Sequence, residues 1–144
     1  MNQPLTRHSL PASLAKRTIT PGILLEMYDE PVLFHRAFVE MGGGITAALF
    51  LSYACQATAE LSDESEGWMR LTIAQWSEAT CLTRTEQESA RRNLRDQGLI
   101  EERRIGMPAR LEIRVNVARL IERLQAQANR KYQGLDQMIF ARLD

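Results

Sequence analysis

The sequence is poor in the residues that most site chemistry and cross-linking need. Its 144 residues include only two cysteines and two histidines. Cys55 and Cys81 form no CxxC pair, and with only His8 and His35 besides, no zinc site of ordinary ligand spacing assembles locally. The two thiols read as small reduced hydrophobes, which points to a reducing, cytoplasmic setting. Long hydrophobic runs are also lacking. The richest apolar stretch, Ile45 to Cys55, is too short to span a bilayer. The opening residues, MNQPLTRHSLPASLAKRTITPG, lack the continuous apolar region of a signal peptide. A soluble protein without membrane contact is expected. Aromatic residues make up only 6% of the chain, and Trp68 and Trp76 are expected to pack in a core rather than serve as stacking platforms.

A charge surplus is missing too. Eighteen basic residues balance eighteen acidic ones. Chains that neutralise phosphates usually carry a basic excess, so any such role here requires charge to be segregated along the chain. No Ser/His/Asp arrangement, metal cluster or phosphate-cradling glycine loop is visible. Gly42–Gly44 lacks the preceding strand and the lysine of a phosphate loop, and reads better as a helix entry. No enzyme, cofactor or metal is expected.

What is present is a series of short, well-punctuated elements in one domain of ordinary size. Residues 1–22 mix Ser, Thr, Pro and basic residues without a period and read as a flexible arm exposing Arg7, Lys16 and Arg17. Residues 23–131 form the domain, and residues 132–144 a tail with scope for further helical turns. Ile23 to Met41 is apolar enough to pack but interrupted by Pro31; its second half fits a short strand or a helix. Ile45 to Glu60 is apolar nearly all round, as a central core helix would be. The loop after it, with Asp63, Glu64 and Glu66, is too acidic to sit on DNA. Trp68 to Leu71 fits a short strand.

Thr72 followed by Gln75 is a capping box opening a helix of about nine residues, with Ile73, Trp76 and Ala79 on its buried face. A tight turn at Thr80–Thr83 follows. Thr83 with Glu86 reads as a second box, opening a helix to Gln97 that stops at Gly98, a residue suited to the left-handed position after a helix. Leu99 to Ile105 and Arg110 to Asn116 read as two strands joined by the turn Gly106-Met107-Pro108-Ala109. In the second strand Leu111, Ile113 and Val115 point one way, and Arg110, Glu112, Arg114 and Asn116 the other. A last helix runs from about Val117 to Lys131. Its apolar face (Leu120, Ile121, Leu124, Ala128) fits the monomer's own core or a homodimer interface equally well.

Helix, short strand, capped helix, tight turn, capped helix and hairpin is the order of a winged helix-turn-helix, a mainly α fold with a small β-hairpin. In that arrangement the second capped helix enters the major groove of duplex DNA. With Gln87, Ala90 and Leu94 on its buried stripe, the residues for base readout are Thr83, Arg84, Thr85, Glu88 and Arg91. Arg92 and Arg95 lie further along, suited to phosphates, and the wing adds Arg103, Arg104 and Arg110. Charge is segregated in the required sense. From Arg84 to Arg114 eight arginines face six acids, whereas Glu60–Glu66 holds four acids and no base.

Residues 42–116 also resemble a known family. The run GGGITAALFLSYACQAT, the strand start Gly98–Glu101 and the wing Gly106-Met107-Pro108-Ala109 are similar to winged-helix proteins encoded by phages, prophages, plasmids and integrative elements. Related winged helices form the N-terminal domains of phage and plasmid replication-initiation proteins. The resemblance implies DNA binding near an origin or an operator, by a transcriptional regulator or a replication accessory protein. Zero net charge favours a different class: an interaction module that binds a replication or transcription protein and no DNA. The two differ in whether the arginines converge on one surface or are neutralised by Glu88, Glu101, Glu102 and Glu112.

Overall fold

The computed structural model describes residues 18–141, with side chains described through Lys131 and at Gln133. The arm residues Arg7, Lys16 and Arg17, His8, and the last three residues of the tail lie outside the described part. The chain divides into two compact units, Met1–Pro31 and Val32–Asp144.

In the first unit, Pro21–Tyr28 form helix α1. Thr20 caps it by accepting from the Ile23 N–H at 3.3 Å, and Pro21 supplies a preset φ at the first helical position. Ile23, Leu24, Leu25, Met27 and Tyr28 are all exposed.

The second unit is mainly helical with one antiparallel hairpin. Of the two readings open for the segment before the glycines, the helical one holds: α2, Arg36–Phe38, continues through a wide turn at Val39–Gly43 into α3, Gly44–Ala59. Among the described residues, Arg36–Ala59 is the one helical run long and apolar enough to cross a membrane by length and composition alone. It is longer than the Ile45–Cys55 stretch because α2 joins across the glycines. Its side chains are the centre of the core: Phe38, Met41, Ala47, Ala48, Phe50, Leu51 and Ala54 are buried. Gly42 (φ 102°) and Gly44 (φ 70°) make the bend possible, since a side chain is strained at either value. Gly43 has ordinary φ but lies against Asn93, where a Cβ would collide with that side chain and with Ala47.

Next come α4 (Ile73–Thr80), α5 (Arg84–Asp96), β1 (Ile100–Ile105), β2 (Arg110–Val115) and α6 (Val117–Ala141). The Thr72 box is complete, with Gln75 N donating to Thr72 Oγ1 and Thr72 N to Gln75 Oε1. The Thr83 box is half made. Thr83 Oγ1 accepts from Glu86 N, but its hydroxyl donates to the Glu86 carboxylate, which does not reach back to the cap N–H. Gly98 (φ 73°) closes α5 in a Schellman motif: Gly98 N donates to Arg95 O, and Leu99 N to Leu94 O at 2.9 Å. Leu94 and Leu99 are both buried beneath it.

Of the face expected to be buried on α4, Trp76 is buried and Ala79 partly so, but Ile73 is exposed. Trp76 stacks on Phe50 at 4.0 Å with Tyr53 edge-on, joining α4 to α3 as core packing. The expected strand at Trp68–Leu71 is a single bridge, Met69 to Ile113, with both backbone hydrogen bonds made. Asn116 caps α6, which runs unbroken past Lys131. Leu120 is buried, and Arg123 and Gln127 donate to the carbonyls of Met41 and Ala37. That face of α6 packs within the monomer, whereas Val117 and Ile121 remain exposed.

Two predictions follow from the packing. Gly43→Ala should destabilise the fold by about 1–3 kcal/mol, read as a lower urea midpoint. Gly22→Ala, whose Cβ would meet only Thr20 Oγ1 at 3.8 Å, should not. Burial pushes the Cys55 thiol up to about 11, while Cys81 is exposed in the turn between α4 and α5. A disulfide reagent at pH 8 should therefore titrate Cys81 quickly and Cys55 far more slowly until the protein unfolds; equal native rates would contradict this burial. Because the unfolded thiol ionises near pH ~8.5, the raised folded value favours the native state below that pH. This stability is lost as pH rises toward 11.

Candidate nucleic-acid interface

The geometry of α5 is set from beneath. Gln87, Ala90 and Leu94 form its buried stripe, as its period requires. Gln87 does more than fill space: its Nε2 donates to Ile73 O at 3.1 Å and to Leu82 O at 3.0 Å. One amide thus ties the start of α4, the turn and α5 together. The turn is locked further by Ser77 Oγ donating to Leu82 O and Thr80 Oγ1 to Trp76 O, both at 2.6 Å. Cys81 takes the left-handed conformation (φ 61°) there, a position where glycine is commoner.

With that stripe inside, Thr83, Arg84, Thr85, Glu88, Arg92 and Arg95 are exposed and Arg91 is partly covered. The hairpin register puts Glu102, Arg104, Leu111 and Ile113 on the face toward α5. Glu101, Arg103, Ile105, Arg110, Glu112 and Arg114 share the other face. Ion pairs then sort the arginines into two groups. On the inner face the Glu102 carboxylate takes Arg91 at 3.2 Å and Arg95 at 3.0 Å, one on each oxygen, which fastens the wing to α5. On the outer face Glu112 takes Arg103 at 3.0 Å and Arg70 at 3.6 Å, and Glu101 takes Arg114. Arg84 pairs with Glu88 one helical turn away at 3.2 Å, in full solvent. Arg92, Arg104 and Arg110 are exposed and make no ion pair among the described residues.

Trp68 is not a core residue. It is half-buried against the wing's outer face, with the guanidiniums of Arg103 and Arg114 over its ring at 4.1 and 4.5 Å. These cation–π contacts and the Glu101 and Glu112 pairs hold the hairpin on the opposite side from Glu102.

Between α4, α5 and the wing lies a half-open cavity of about 700 Å³. Its apolar wall is Leu71, Ile73, Trp76, Leu111 and Ile113, and Arg70, Arg84, Arg91, Arg104 and Arg110 line it together with Gln87 and Glu88. Of the residues singled out in the sequence, Arg84, Glu88, Arg91 and Arg104 come together here, and Arg110, though on the hairpin's other face by register, lines the cavity from the wing's tip. Thr85, Arg92 and Arg95 on α5, and Thr83 at its cap, do not line the cavity. Arg103 is directed to Trp68 and Glu112 on the far side of the hairpin. Sequence reading overlooked Arg70. Its only local signal is its position just after the Trp68-Met69 pair, and the Met69–Ile113 bridge is what carries it to the wing.

Compared with known proteins, the chain matches no family model, no curated protein and no solved structure.

If the Trp68 contacts hold the wing, Trp68→Ala should raise hydrogen exchange of the β1–β2 amides while leaving the α3 and α5 amides protected. Its global cost should be about 1–3 kcal/mol. Exchange that rises equally throughout would assign Trp68 to the core instead.

Proposed function

We propose that this protein binds double-stranded DNA through α5 and the wing, as a cytoplasmic transcriptional regulator or replication accessory protein of a mobile element. The observation that carries the reading is the positive concave surface between α5 and the hairpin. Arg70, Arg84, Arg91, Arg104 and Arg110 line it against a single lining acid, Glu88. Glu102 and Glu112, which do not line the cavity, each offset one of those charges, and a net surplus remains on that side of a chain whose total charge is zero. Among the described residues Arg104 and Arg110 have no carboxylate partner, so they reach phosphates without first breaking an ion pair. Arg84, Thr85 and Glu88 lie in the first two turns of α5, the part of a recognition helix that meets base edges. The exposed Val117 and Ile121 on α6 agree with a homodimer on a two-fold site.

A second reading, an interaction module for a replication or transcription protein, draws on a specific observation. Arg91, Arg95, Arg103 and Arg114 are already bound to carboxylates and offer less to a polyanion.

The test is duplex binding measured across a salt series, with random DNA and with the DNA upstream of the protein's own gene. Binding should fall steeply with salt. Arg104→Ala and Arg110→Ala should each reduce the salt slope by about one and weaken binding several-fold. Arg103→Ala should change it least, because that guanidinium is held by Trp68 and Glu112 away from the cavity. If the wild-type chain ignores duplex at low salt, the DNA reading fails and the interaction module takes its place.

A further inference from the structure

We propose that the cavity between the helix-turn-helix and the wing is a binding site for a mononucleotide, a phosphate carried on an aromatic base. The inference rests on the composition of the wall; it shares Arg84, Arg104 and Arg110 with the duplex reading but does not require duplex binding. A volume of about 700 Å³ falls within the range of small-molecule sites. Leu71, Ile73, Leu111 and Ile113 give the cavity an apolar wall against which an aromatic ring can pack, with Trp76 beside them.

Two polar atoms in that wall are unmatched. Gln87 spends both Nε2 hydrogens on the Ile73 and Leu82 carbonyls, which fixes its amide orientation and leaves Oε1 without a donor. Trp76 Nε1 has no acceptor among the described residues. Both side chains are almost fully buried, at 3% exposure each, and both line the cavity. An apolar wall that presents one acceptor and one donor suits a ring with an N–H and a ring nitrogen or carbonyl on its edge, as a nucleobase has. A saturated acyl chain would leave both atoms unpaired. At the rim, Arg104 and Arg110 are exposed and free of carboxylates, and Arg84 is held only by an exposed pair with Glu88. Those guanidiniums supply forked donors for a phosphate.

The ligand chemistry has two possible sources: a free nucleoside monophosphate, or the terminal nucleotide of a strand. The experiment is equilibrium dialysis of the full chain against GMP, AMP and a single-stranded pentanucleotide, with inorganic phosphate and guanosine as controls. Saturable one-to-one binding of a monophosphate or the pentanucleotide is expected, with phosphate or guanosine alone weaker by about tenfold or more. Arg104→Ala should weaken it about tenfold by removing a charge-assisted contact, and Ile73→Trp should abolish it by filling the mouth. Both positions are exposed, Ile73 to 47%, so both variants should keep the wild-type melting temperature. A monophosphate that binds better than the pentanucleotide identifies a free ligand, and the reverse a strand end; either supports the site. No saturable binding of any of the three probes overturns the proposal, as does binding that survives Ile73→Trp unchanged. Duplex affinity of the same preparations separates the two proposals. A chain that binds GMP but no duplex keeps this site and loses the DNA reading, and the converse keeps only the DNA reading.

Discussion

The structure turns on one buried amide. Gln87 sits on the apolar stripe of α5, yet its Nε2 reaches two carbonyls on other elements, Ile73 O in the first turn of α4 and Leu82 O in the turn. Burying such a group is costly unless it is hydrogen-bonded, and here both donors are used. The consequence is angular. The axis of α5 cannot pivot about the Thr80–Thr83 turn without breaking a bond at one end or the other. Everything α5 presents outward, from Arg84 to Arg95, inherits its direction from that bridge.

The wing is fixed by a different kind of force, from two sides. Glu102 holds it to α5 through Arg91 and Arg95, while Trp68 and the carboxylates of Glu101 and Glu112 collect Arg103, Arg114 and Arg70 on the opposite face. Exposed pairs contribute little singly, but Glu102 and Glu112 are largely covered and each serves two arginines, which is a network. The hairpin has only two strands and needs such support, since an isolated hairpin is marginal in water. There is a functional cost, because arginines that hold the wing are less available to a ligand. Arg104 and Arg110, near the wing's tip and beyond these carboxylates, keep their charge for whatever enters the cavity.

Much of the architecture was legible because its signals are local. The Thr72–Gln75 box, Gly98 and the strict alternation through Arg110–Val115 each reflect chemistry completed within a few residues, and the elements fall where those signals put them. The buried stripe of α5 followed from helical period alone. Trp68 was misjudged for the opposite reason. A tryptophan beside Met69 looks apolar in sequence, and only the pairing of β1 with β2 brings Arg103 and Arg114 across its ring. Arg70 was passed over on the same ground, since its place at the cavity depends on a bridge between residues 44 positions apart.

By itself the sequence determined the order of the main helices and the hairpin, the Thr72–Gln75 cap and the buried stripe of α5, because capping, turn chemistry and periodicity act over four residues or fewer. It did not determine the inward face of α4, where Ile73 is exposed. Only the tertiary structure decided which arginines are spent and which are free. Strand register and helix packing determine whether a carboxylate stands within about 4 Å of a guanidinium, and that distance separates an ion pair from a charge open to a partner. Glu102 meets Arg91 and Arg95, and nothing meets Arg104, because of where β1 lies against α5.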